Sequence, residues 1–276
     1  IINAKSVVLT TGGFGANKKM LYDNDKEVDD KILSTNSPGS TGDGIKMAQA
    51  IGADVVDMNQ IQLYPVCDVE TGKLLYTGDT RLVGGAIIVN KEGKRFVEEL
   101  GTRREISMGI KAQTDSIAYQ IWDEDSMQKS KILPTHEIEY KNLIEGKKLC
   151  KVNSIEEMAE FFGIDKENLK ETIKQFNEDS EKGKDTLFNL RRLGFKVEKA
   201  PFYCLKAVPA VHHTMGGLKI NKNAQVLNKN GEVIKGLYSA GETTGGIHGK
   251  NRLGSVSIAD ITVFGIIAGT NAGNNK

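Results

Sequence analysis

Cysteine is scarce in this chain: Cys67, Cys150 and Cys204 are the only three in 276 residues, and no Cys-x-x-Cys pair occurs. An odd, widely spaced set excludes a complete disulfide framework and argues against a structural zinc site, leaving ordinary thiols and no expected metal. Charge of one sign is lacking too. Lysine and arginine number 37 against 36 aspartate and glutamate, for a formal net charge of +1, and the basic residues are scattered rather than striped. The chain therefore carries no electrostatic footprint of a nucleic-acid partner. No apolar run reaches the ~20 residues of a bilayer-spanning helix. The longest, residues 261–268, reads as a core helix. No signal peptide is visible, and no compartment is assigned. Internal repeats and low-complexity segments are absent, as is the Gly-x-Gly-x-x-Gly turn of dinucleotide-binding folds.

At this length the chain can bury a large core, as one or two domains. Residues 6–10 form a short apolar run ending at Gly12-Gly13, the pattern of a buried strand that turns sharply. Residues 44–52 have helical spacing, with Ile45, Ala48 and Ile51 on one face and Asp43 as N-cap. Residues 55–56 and 61–63 read as strands, and residues 86–97 as strand, turn and strand. Ser154 and Glu157 are spaced as a capping box for a helix through Phe162. Asp165 caps a second helix, whose Leu169, Ile173 and Phe176 recur at i, i+4, i+7. Polar residues 178–185 predict a solvated loop. Residues 218–220, 224–227 and 232–234 predict short antiparallel strands around the turn Asn228-Lys229-Asn230-Gly231. Residues 257–268 predict the last helix.

Most of the chemistry sits in His212-His213-Thr214-Met215-Gly216-Gly217 and in His248-Gly249-Lys250-Asn251-Arg252-Leu253-Gly254. A paired histidine, a glycine pair and a lone arginine in a Gly-rich loop make a poor core. They suit a site that holds a small carboxylate beside a flat cofactor. Glycine lets backbone N–H groups come close to a ligand, and the planar fork of arginine matches a carboxylate.

These residues also carry a family resemblance. The matching segments are Thr11-Gly12-Gly13-Phe14, Thr41-Gly42-Asp43-Gly44-Ile45, Ile61-Gln62-Leu63-Tyr64-Pro65, and Gly93-Lys94-Arg95-Phe96-Val97 with Thr102-Arg103. The histidine motif, Ala240-Gly241-Glu242 and Asn251-Arg252-Leu253-Gly254 complete the series. In this order, over nearly the whole chain, they resemble the flavoprotein family of fumarate reductases, succinate dehydrogenases, flavocytochrome c and urocanate reductase. The resemblance implies an α/β (α+β) fold. Residues 1–64 and 211–276 would form the C-terminal portion of a discontinuous FAD-binding domain, and residues 65–210 an inserted α+β capping domain that closes over substrate. The family's strand, Gly-x-Gly-x-x-Gly turn and helix for the ADP part of FAD are missing, and the chain opens at Ile1-Ile2-Asn3 without Met. The expectation is a C-terminal fragment, partnered by the missing N-terminal part of the same protein. In isolation its strand Val7-Val8-Leu9 would lack sheet neighbours. A family member that has lost flavin binding is the alternative.

By the same resemblance, Arg252 clamps a substrate carboxylate and His213 donates a hydrogen bond to it. His212 is structural or near the flavin. Arg103 matches the family's proton donor. With a pKa above ~12 a guanidinium can act as an acid only if a relay replaces its proton; Asp79 and Arg81 could supply that relay, and Arg104 and Glu105 are adjacent. Thr11, Gly12 and Gly13 would pass close to FAD, and Glu242 would face its ribityl region. Ser257 and Ile258, at the N-terminus of the last helix, would point at the flavin ring, where the helix dipole favours an anionic reduced flavin. Val256 stands where the family usually has Asn. Two further departures bear on substrate. The fumarate-reducing branch has His-Pro-Thr in place of Tyr64-Pro65-Val66, and Thr-Glu in place of Gly78-Asp79. Tyrosine offers a phenol and a ring face instead of imidazole, and the Tyr64 and Asp79 combination resembles urocanate reductase, where an aspartate can pair with an imidazole N–H.

The reading is an FAD-dependent reductase of the C=C bond of a small enoate, urocanate first and fumarate or another 2-enoate next. Hydride comes from flavin N5 and the proton from Arg103, while Arg252 and His213 hold the carboxylate and Tyr64 and Asp79 contact the rest of the substrate. The electron donor and the direction of the reaction stay open. The alternative from another class is a flavin-free module that binds small carboxylates or a protein partner.

Overall fold

A computed structural model describes residues 1–275. The chain divides into two compact units, residues 1–63 with the segment from Val211 onward, and residues 64–210. It passes between them within the strands Ile61–Cys67 and Phe202–Thr214.

In the first unit, strand Val7–Leu9 pairs in parallel with Val233–Ser239, Val7 opposite Leu237 and Leu9 opposite Ser239. Gln225–Leu227 pairs antiparallel with the other side of Val233–Ser239. Val7–Leu9 thus has one sheet neighbour, contrary to the expectation that it has none. The Ser239 hydroxyl, donating to Leu9 O at 2.9 Å, reinforces the pairing. Its second edge has no strand partner among the described residues, and Val7 and Val8 are exposed.

Helix Asp43–Ala50 starts one residue earlier than its sequence suggests. Gly42, at φ 74°, is the N-cap, and Asp43 is already helical, accepting from Thr41 Oγ1 at 2.8 Å. Glycine is needed at 42 because a Cβ there would lie 2.9 Å from Phe14 Cβ.

Helix Val256–Asn274 packs one face through Ala268, Phe264 and Ile267 against Ala224, Tyr238 and Ala240. It is not the core helix expected: Ile258, Ile261, Val263 and Ile266 are 48–65% exposed. Asp260, Thr262 and Asn271 interrupt its apolar residues, yet by overall length and composition its 19 residues would also suffice to cross a membrane.

The second unit is built on strands that alternate sides. Ile87–Val89 pairs antiparallel with Ala118–Trp122, which pairs with Phe202–Thr214; Leu149–Val152 flanks the latter on its other side. Ile87 and Val89 pack with Leu169, Ile173 and Phe176. Ile88 points the other way, onto Ile106 and Ile110 of helix Arg103–Lys111. That helix has a full capping box: Glu105 N donates to Thr102 Oγ1 at 3.2 Å, and Thr102 N to Glu105 Oε2 at 2.7 Å. In helix Ile155–Phe162 only half of the expected box forms. Ser154 Oγ accepts from Glu157 N, but Glu157 accepts from Asn153 N. Asp165 caps helix Lys166–Lys182 at Asn168 N, 2.8 Å.

Two expectations fail here for the same reason, that charged residues turn inward. The helix runs to Lys182 and ends at Gly183, so residues 178–182 are not loop. Asp179, far from solvated, accepts from Gln175 Nε2, Thr186 N and Thr186 Oγ1 at 2.7–2.9 Å. Residues 94–97 form no strand beyond a single bridge from Arg95 to Val89. The Arg95 side chain is instead buried between Glu99 at 2.7 Å and Asp185 at 2.9 Å, each 1% exposed or less, with the rings of Phe176 and Phe188 5.0 and 5.2 Å from its guanidinium carbon. The three cysteines are buried and free.

Burial pushes the Asp185 carboxyl up, but hydrogen bonds from Arg95 and from the Leu190 amide outweigh it and bring it to about 2. A folded pKa below the unfolded ~3.9 stabilises the fold above pH ~4 and loses that contribution as pH falls toward 2. Taking one partner from a buried ion pair costs about 3–5 kcal/mol. Asp185→Asn is therefore expected to be less stable than the parent at pH 7 by urea unfolding, with the difference shrinking below pH 4. A constant difference across that range would be the contrary result.

Candidate active site

In the first unit, strand Phe202–Thr214 delivers His212, His213 and Thr214 at its end. His212 Nδ1 lies 2.9 Å from Thr35 Oγ1. The next two residues meet Glu242. Its Oε1 accepts from Thr214 N at 2.8 Å and Thr214 Oγ1 at 3.1 Å, and its Oε2 lies 3.5 Å from His213 Nδ1. Burial pushes the Glu242 carboxyl up, opposed by the Thr214 bonds and the Arg252 charge.

The turn at Thr11, Gly12 and Gly13 closes on this carboxylate. Thr243 Oγ1 donates to Gly12 O at 3.1 Å and lies 3.4 Å from Thr11 Oγ1. A Cβ on Gly13 would lie 2.0 Å from Thr214 Oγ1 and 2.6 Å from Glu242 Oε1. Gly12, at φ 77°, takes a left-handed conformation that favours glycine.

The pair Gly216-Gly217 has a packing use that its sequence does not suggest. A Cβ on Gly216 would lie 2.4 Å from Asp57 O, and one on Gly217 2.3 Å from Thr243 O. These glycines let backbone pack on backbone within the unit.

Arg252 is buried, and its loop is tied down from strand Ile61–Cys67. Gln62 Nε2 donates to Arg252 O at 2.9 Å and to Asn251 Oδ1 at 3.2 Å. Sequence reasoning missed Gln62, although an amide within an apolar strand was a visible signal. It also missed Asp260, the one carboxylate in helix Val256–Asn274, which lies 3.2 Å from His248 Nε2. Ser257 and Ile258 stand in the first turn of that helix, which follows a left-handed Ser255 and has no side-chain cap bond.

In the second unit, Tyr64 and Asp79 come together: the buried phenol donates a hydrogen bond to Asp79 Oδ1. Burial and then the Asp79 charge push the phenol pKa well up. Arg103, first residue of its helix, holds its guanidinium 4.9 Å from the Tyr64 ring centroid, a cation–π distance. Arg81 is buried beside them and donates to Glu99 O. Burial lowers its pKa, while Tyr64, Asp79 and Glu99 raise it. Glu105, read from sequence as part of this charged cluster, serves as the helix cap. Glu139 holds the turn that ends in Asp79, accepting from Tyr76 N, Thr77 N and Thr77 Oγ1 at 2.7–3.1 Å.

The first unit fits FAD. An uncapped helix N-terminus is a ready site for the acceptor and anionic groups of a flavin, and Gly12 leaves open backbone, since a Cβ there would meet only Ser40 Oγ at 3.9 Å. The model of the FAD binding domain family matches residues 1–258, and the chain belongs to this family, whose cofactor is FAD. Family membership leaves the flavin-free alternative without support. Among relatives, the urocanate reductase of Eggerthella lenta is 47% identical over 269 residues, covering 98% of this chain and 44% of that protein. The NADH:acrylate oxidoreductase of Vibrio harveyi is 44% identical, covering 96% and 26%. The open conformation of a flavocytochrome c3 fumarate reductase superposes with a TM-score of 0.81 at 39% identity, covering 99% of this chain and 47% of that one. The chain thus spans less than half the length of each.

The Gly13 contacts give a test. Overpacking a tight site costs about 1–3 kcal/mol, so Gly13→Ala is expected to lower the melting temperature, and Thr214→Ala added to it to recover part of the loss. No change on Gly13→Ala would contradict the close approach.

Proposed function

We propose that this chain is the C-terminal part of an FAD-dependent reductase that saturates the C=C bond of a small enoate, with urocanate as first candidate and fumarate or another 2-enoate next. In this reading the first unit is part of the FAD-binding domain and the second the capping domain. The observation that carries the substrate choice is the Tyr64–Asp79 hydrogen bond, with Arg103 over the Tyr64 ring. The name of the Eggerthella lenta relative supports the same choice.

Bound FAD, when reduced, supplies hydride chemistry at N5. Thr11, Gly12, Gly13, Glu242, Ser257 and Ile258 would hold it. The protein's own residues do the rest. Arg252 and His213 bind the substrate carboxylate and stabilise the negative charge that builds on it, an effect strengthened by their burial. The Asp79 carboxylate accepts the imidazole N–H of urocanate, and Tyr64 offers its ring face. Arg103 donates the proton to the second carbon and is reprotonated through Asp79 and Arg81, both charged neighbours of Tyr64. The second edge of Val7–Leu9, which has no strand partner among the described residues, and the exposed face of helix Val256–Asn274 are the surfaces we assign to the remainder of the longer protein.

The double substitution Tyr64→His and Asp79→Glu is expected to move the ratio of kcat/KM for urocanate over fumarate toward fumarate by about a hundredfold, the upper scale of one hydrogen bond to a charged group. An unchanged ratio would sink the urocanate assignment. Arg103→Ala is expected to lower kcat by about 10²–10⁴ for either substrate, the usual loss of a general acid. A kcat near that of the parent would remove Arg103 from the proton path.

A further inference from the structure

Four ionisable side chains of the first unit stand in series: Glu242, His213, His248 and Asp260. His213 Nδ1 faces Glu242 Oε2 at 3.5 Å. The His213 and His248 rings meet edge to face, centroids 5.4 Å apart and planes at 73°. His248 Nε2 lies 3.2 Å from Asp260 Oδ2, with both side chains nearly out of solvent at 6% and 3% exposure. Asp260 is the one charged residue in helix Val256–Asn274. Its second oxygen, Oδ1, is buried with no hydrogen-bond partner among the described residues. Burying a carboxylate this way is costly unless it is used, and its one partner is the ring that touches His213.

We propose that Asp260 and His248 are positioning residues for His213: the Asp260 carboxylate fixes the orientation of the His248 ring, and that ring fixes the plane of His213. This rests on His213 binding the enoate carboxylate, as proposed above. A histidine pinned by a carboxylate on one ring nitrogen has a defined tautomer and orientation. The T-shaped contact carries that order one ring further. Glu242 Oε2, 3.5 Å from His213 Nδ1, is a second neighbour of the same ring.

The test is a double-mutant cycle in the whole flavin-loaded protein, with KM and kcat measured for urocanate and for fumarate. His213→Ala is expected to raise KM. Asp260→Ala is expected to raise KM about tenfold, the scale of one lost hydrogen bond to a charged group, with a smaller change in kcat. In the His213→Ala background, Asp260→Ala is expected to add nothing, because coupled residues are not additive. If His213→Ala leaves KM unchanged, the carboxylate role of His213 fails and the positioning role with it. If His213→Ala raises KM but Asp260→Ala has no effect, or has an equal effect in both backgrounds, the role of His213 stands and the positioning role is overturned. Asp260→Asn, close in shape, guards against failure to fold. The chain has four histidines, so their ring signals can be followed by NMR. Asp260→Asn is expected to move those of both His248 and His213; movement of His248 alone overturns the proposal.

Discussion

A half-buried carboxylate organises the first unit. Glu242 accepts the amide and the hydroxyl of Thr214, faces His213, and leaves room for no side chain at position 13. These contacts bring together residues from three distant parts of the chain. The turn after the first strand, the end of strand Phe202–Thr214 and the segment after Val233–Ser239 each supply a few atoms. Without Glu242 the Thr214 amide would lose its acceptor, and an unmet buried polar group costs ~1–3 kcal/mol.

The second unit depends on a different ionic contact with a related outcome. Arg95, Glu99 and Asp185 neutralise one another inside the fold. Glu99 also accepts from Ile88 N through its side chain, and from Arg81 through its backbone oxygen. The segment that fixes Arg81 beside Tyr64 and Asp79 is thus itself fixed by a buried ion cluster. Glu139 does the same for the turn that carries Asp79, from a helix far along the chain. Of the groups to which chemistry is assigned, the ion cluster touches only Arg81, through Glu99 O, and Glu139 holds the backbone that leads into Asp79. Both limit how far those groups can move.

What the sequence reveals is mostly what is local. Ser154 and Asp165 cap the helices that follow them, because a cap and its amide lie three residues apart. The buried stripe of Leu169, Ile173 and Phe176 follows from helical spacing alone. Failures occur where a distant partner decides. Arg95 reads as a strand residue until Asp185, ninety positions on, pulls it inward. Residues 178–182 read as loop because their polarity suggests water, whereas Asp179 finds its partners inside. Gly216-Gly217 reads as a ligand loop, but the atoms it makes room for are backbone atoms near Asp57 and Thr243. In the site, the motif residues Thr11, Gly13, His213 and Glu242 stand out by type and order. Gln62 and Asp260 receive no role from sequence, and His248 is seen only as part of a motif, since their importance lies in what they touch.

Anaerobic reoxidation of the reduced flavin in the whole protein, with urocanate and fumarate offered separately, is the most direct test of the enoate-reductase assignment. Rapid reoxidation by urocanate, and slow or none by fumarate, is the expected result. Reoxidation by neither of these, nor by acrylate as the simplest 2-enoate, would contradict the assignment.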